Sequence, residues 1–91
     1  MTIIREPVPE TDPAAIALQA LGWVLADSQR ADRFLALTGL TPDALREGLG
    51  SAAVLGAVID FLANNEADLV SAAEALDIAP ARIMAAGENL R

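Results

Sequence analysis

The chain has 91 residues and a mass of 9.4 kDa, with 54% hydrophobic residues, 3% aromatic residues and a net charge of −7. That size holds one core and no second domain, and the hydrophobic fraction excludes a chain disordered by composition. Cysteine and histidine are both absent, which excludes a disulfide scaffold, thiolate chemistry, His-based triads and zinc clusters built from those ligands.

Residues 1–11 read as a flexible lead. Pro7, Pro9 and Pro13 lie close together, with Glu6 just before them and Glu10 among them, and proline removes backbone donors while holding its neighbours extended. Asp12-Pro13 then starts a first helix over about 13–26, because Asp is a good N-cap and Pro is tolerated at the first helical position. Ile16, Leu18, Leu21, Trp23, Val24 and Leu25 leave it apolar on almost every side, so it is expected at the centre of the fold. Asp27-Ser28 caps a second helix over about 28–38, and Gly39 suits its left-handed end. Thr41-Pro42-Asp43 repeats the start signal for a short third helix, about 42–49.

Ser51 caps a fourth helix over about 52–63, the second strongly apolar one. Its small residues Ala53, Gly56 and Ala57 predict a close helix crossing. Asn65, Glu66 and Asp68 open a fifth helix, about 66–76, with an acidic first turn that suits the helix dipole. Asp77-Ile78 forms a turn, and Ala79-Pro80 opens a sixth helix with Ile83, Met84 and Leu90 as its apolar positions. The expected architecture is therefore all-α: one compact bundle of about six short helices over residues 12–91.

The order of elements repeats. A shift of 38 residues lays Leu21, Trp23 and Val24 on Ile59, Phe61 and Leu62, the break Asp27 on Asn65, and Pro42 on Pro80. Identities are few, but the apolar and breaker positions match, which predicts two pseudo-repeated three-helix units with the first and fourth helices buried together.

The run from Arg33 to Arg46, Arg-Phe-Leu-Ala-Leu-Thr-Gly-Leu-Thr-Pro-Asp-Ala-Leu-Arg, resembles the signature of a family of short uncharacterised bacterial proteins that form a domain of unknown function. Residues 19–23, 58–62 and 66–69 resemble the same family, and the likeness covers roughly 14–83. Where that family often carries an aromatic residue in its second unit, this chain has an alanine, Ala72 or Ala73. The resemblance implies an all-helical fold and a bacterial cytosol, and it supplies no activity, substrate, cofactor or site residue.

Chemistry is sparse. Ser28, Ser51 and Ser71 have no histidine partner, and two of them stand at helix starts, where capping accounts for them. Glu10 with Asp12, Glu66 with Asp68 and Asp43 with Glu47 lack the ligand density of a calcium loop. The glycines lack the lysine of a phosphate-binding loop, and the chain contains no lysine at all. No cofactor and no enzymatic activity are expected. The second helix, Gly39 and the third helix have the layout of a helix-turn-helix. The would-be recognition helix, however, carries one arginine against two acids, so no nucleic-acid partner is expected. The first residues lack the layout of a secretory signal, and the uncharged stretches 13–26 and 48–59 are shorter than the ~20 residues of a membrane span. A cytosolic protein without a membrane partner follows as the expectation.

The reading left is a non-enzymatic helical module that acts through contacts with an unidentified protein or with itself as a homodimer. Its alternative is a degenerate helix-turn-helix regulator with weak or no DNA binding. Trp23, the only tryptophan, is a candidate anchor. Arg30 and Arg33 are candidates beside it, able to meet Glu66, Asp68 and Glu74 within the chain or across a dimer.

Overall fold

A computed structural model describes residues 12–90, and these form α1 (Pro13–Leu25), α2 (Ser28–Thr38), α3 (Pro42–Glu47), α4 (Ala52–Ala63), α5 (Glu66–Leu76) and α6 (Pro80–Asn89), with no strand among the described residues. The flexible lead expected over residues 1–11 lies outside them. The all-α bundle is the observed fold.

The helices start where side chains take over their unpaired N–H groups. Asp12, Asp27, Thr41, Ser51 and Asn65 each accept a hydrogen bond from a backbone N–H two or three residues on. Of Asp27 and Ser28, the aspartate is the cap and the serine already lies inside α2. At α6, Ala79 has no side chain to offer, and Pro80, which has no N–H, removes one of the groups needing a partner. The third helix ends at Glu47, two residues before the expected Leu49, because Gly48 leaves the helical path and its N–H folds back on Ala44 and Leu45.

α1 and α4 lie side by side at the centre, and α6 packs along both. Ile16, Ala17, Ala20, Leu21 and Val24 of α1 interlock with Leu55, Val58, Ile59, Phe61 and Leu62 of α4. Phe34 of α2 is fully buried and meets Phe61 edge to face, with ring centroids 5.3 Å apart and planes at 83°. Such a pair adds about 0.5–1.5 kcal/mol beyond the area it buries.

The 38-residue repeat is visible in the element boundaries. Shifted by that amount, Ser28–Thr38 coincides with Glu66–Leu76, and the ends of α1 and α4 coincide at Leu25 and Ala63. The left-handed residues also coincide: Gly39 has φ +75° and Asp77 has φ +58°. Gly39 N–H returns to the carbonyl of Leu35, and Ile78 N–H to that of Ala73, so both turns recover a helix-end acceptor.

The repeat fails at its third helix. α6 runs on to Asn89 and lies against α4, whereas α3 runs alongside none of the other helices. One residue pair distinguishes the two units at this place. Gly87 sits on Ile59 so closely that a Cβ there would lie 2.7 Å from Ile59 Cγ2. At the corresponding places of the first unit stand Leu49 and Leu21, and two leucines cannot approach as a glycine and an isoleucine do. This corrects the expectation of a close crossing at Ala53, Gly56 and Ala57. Ala53 is exposed, and a Cβ on Gly56 would make an ordinary 3.9 Å contact with Leu90.

Candidate interaction surface

Because α3 stands off, an apolar groove of about 570 Å³ opens between α1, α2 and α3. α1 supplies one wall through Leu18, Leu21, Gly22 and Leu25. Leu35 of α2 forms the far end. Pro42, Leu45 and Arg46 of α3 form the other wall, with Leu49 just beyond them. Leu21 and Leu45 are buried at its base, while Leu18, Leu25 and Leu49 keep 44%, 43% and 39% of their surface exposed. Single exposed leucines are ordinary; three facing one groove make a continuous apolar patch.

Charge is kept away from this wall. α1 contains no acidic or basic residue, although each of the other five helices contains at least one. Among the described residues Arg46 is the only charged one lining the groove, and it pairs at 2.8 Å with Asp43 on the same exposed helix face. Gly22 is the odd member of the wall. A glycine inside a helix costs about 1 kcal/mol relative to alanine, yet a Cβ on Gly22 would meet nothing within 4 Å. The fold of the described residues gives no packing reason for it.

The sequence-derived candidates lie elsewhere. Trp23 is half-buried against the core. The Arg30 guanidinium lies over its ring, 3.6 Å from the centroid, and donates to the Trp23 carbonyl oxygen. Arg30 Nε is buried there without a hydrogen-bond partner among the described residues. The two residues thus lock the corner between α1 and α2. Arg33 sits 5.3 Å from the Phe61 ring centroid and forms an ion pair with Asp68 of α5, so this contact is made within the chain. Trp23 and Arg30 come together, and Arg33 stands apart from them over the Phe61 ring.

Sequence reasoning missed Leu18, Gly22, Leu25 and Leu49. The signal lay in the repeat: Leu18, Leu25 and Leu49 fall on Gly56, Ala63 and Gly87. Large residues in one unit opposite small ones in the other mark the seam that one half closes and the other leaves open.

Among the described residues no group of three or more His, Cys, Asp or Glu is placed to hold a metal ion, and no helix is long and apolar enough to cross a membrane. A family described as "Protein of unknown function (DUF3572)" matches residues 10–91. The chain belongs to this family. The match takes in all six helices, both walls of the groove and the Arg33–Arg46 run. No curated protein and no solved structure matches the chain.

Proposed function

We propose that the protein is a non-enzymatic, cytosolic helical module that docks another protein helix in the groove between α1, α2 and α3. The observation that supports this reading is the open apolar seam itself, with Leu18, Leu25 and Leu49 exposed along it and no charge on the α1 wall. Helix-in-groove recognition needs a trough of this kind, filled by apolar anchors at i, i+3 or i+4, and i+7 of the incoming helix. Leu21 and Leu45 at the base belong to the main core, so the floor of the groove is in place before a ligand arrives, which lowers the ordering cost of binding.

The test is site-specific photo-crosslinking in living cells. A benzophenone side chain replaces Leu18, Leu25 or Leu49 in turn, with Asp32 and Ser71, exposed on other helices, as controls. Covalent protein adducts from the groove positions and none from the controls are expected. Equal yields at all five positions, or no adduct at any, would reject the docking reading.

A further inference from the structure

The face that α1 turns to the groove has the shape of its own complement. Leu18, Gly22 and Leu25 lie at i, i+4 and i+7 of α1 and so share one face of the helix. Lay a second α1 antiparallel upon the first, and Leu18 meets Leu25 of the second copy while Leu25 meets its Leu18. The two glycines then face each other at the centre. That arrangement is self-complementary, as a two-fold interface requires. We propose, resting on the docking reading above, that the helix received by the groove is α1 of a second copy, with the two-fold axis at Gly22.

Three observations carry this assignment. First, among the described residues nothing packs on Gly22: a Cβ there meets nothing within 4 Å, and the helix would gain from alanine. A glycine at a helix crossing lets two backbones approach, which supplies the reason the monomer lacks. Second, each copy carries −7, and like-charged copies repel. α1 is the one helix of the six with no charged residue, so two copies meeting there bring no like charges into contact along it. Third, the exposed leucines flank Gly22 on both sides at nearly equal spacing, one turn before and one turn after. A heterologous helix would not need that near-palindrome; a second copy does.

Sedimentation velocity over a concentration series up to hundreds of micromolar reads the outcome. The unmodified chain is expected to move from 9.4 kDa to twice that mass. Gly22→Leu puts a bulky side chain where the two helices meet. It is expected to weaken association about 10-fold or more, while the dilute protein melts no lower than the parent. Gly22→Cys introduces the chain's only cysteine. Facing positions at a close crossing fall within the roughly 4.4–6.8 Å between Cα atoms that a disulfide spans, so mild oxidation is expected to link the dimer. Ser71→Cys, on an exposed face of α5, is expected to remain unlinked under the same conditions. A dimer insensitive to Gly22→Leu, or equal linking of the two cysteine variants, would overturn this interface. A 9.4 kDa species throughout would overturn the dimer. If groove-specific adducts to a different protein accompany that monomer, docking survives and only the second copy fails; if no adducts accompany it, both readings fall.

Discussion

Alanine in place of Gly87 and alanine in place of Gly56 should act in opposite directions. Both glycines lie inside helices, α6 and α4, so each replacement should gain about 1 kcal/mol of helix propensity. At Gly56 the new Cβ finds Leu90 Cβ at 3.9 Å, an ordinary contact, and the gain stands. At Gly87 the new Cβ would lie 2.7 Å from Ile59 Cγ2 and 3.1 Å from Ile59 Cβ. Ile59 is 1% exposed, and a β-branched side chain in a helix has essentially one χ1 rotamer. The clash can be relieved only by moving α6 off α4, an overpacking cost of about 1–3 kcal/mol. The net for Gly87→Ala is a loss of about 0–2 kcal/mol against a gain of about 1 kcal/mol for Gly56→Ala. For a domain of this size 1 kcal/mol moves Tm by about 4–8 °C, so thermal melts followed by circular dichroism separate the two variants clearly. Ile59→Ala supplies the internal check. It removes Cγ2 at a cost of about 2–5 kcal/mol and leaves only the 3.1 Å contact with the residue-59 Cβ, so in that background Gly87→Ala should cost less than in the parent chain. Equal rises in Tm for Gly87→Ala and Gly56→Ala in the parent chain would refute the reasoning.

Phe34→Ala should cost about 3–5 kcal/mol in chemical denaturation, because the side chain is fully buried and its ring partner Phe61 loses an edge contact. Asp77→Gly should stabilise by up to about 1 kcal/mol, since a left-handed L-residue costs about 1–2 kcal/mol, and Asp77 has φ +58°. Gly39→Ala, at φ +75°, should destabilise by a similar amount; thermal melts of the two variants check the opposed signs. Duplex DNA at physiological salt should give no sequence-dependent gel shift, because Arg46 is the only base on α3 and already pairs with Asp43; sub-micromolar specific binding would restore the helix-turn-helix alternative.

Helix boundaries were legible because they depend on local chemistry. Asp12, Thr41, Ser51 and Asn65 cap helices through their own side chains, and Gly39 ends one by adopting a positive φ. The central place of α1 and α4 was legible for the same reason: their composition leaves no polar stripe to face water. The uniformity that placed α1 also concealed the groove. A helix apolar on every side has no periodicity to reveal which stripe stays uncovered, so Leu18 and Leu25 read like Leu21. The close crossing was assigned to Gly56 instead of Gly87 because a small residue in a sequence does not say what lies opposite. Trp23 was singled out for its rarity, whereas its half-buried place beneath Arg30 is a property of the α1–α2 corner.

The two three-helix units do not stand apart. α2 of the first lies on α4 of the second, and α5 of the second lies on α1 of the first. Phe34 finds its hollow only when Phe61 arrives from beyond the turn at Gly48–Ser51. Neither half therefore closes a core by itself, and folding is one cooperative event. The same interlocking makes the covalent link at that turn dispensable once the halves have met. Chains severed at Gly50 should be unstructured when separate and should reconstitute a helical complex when mixed, so that the domain behaves as an embrace between two incomplete peptides.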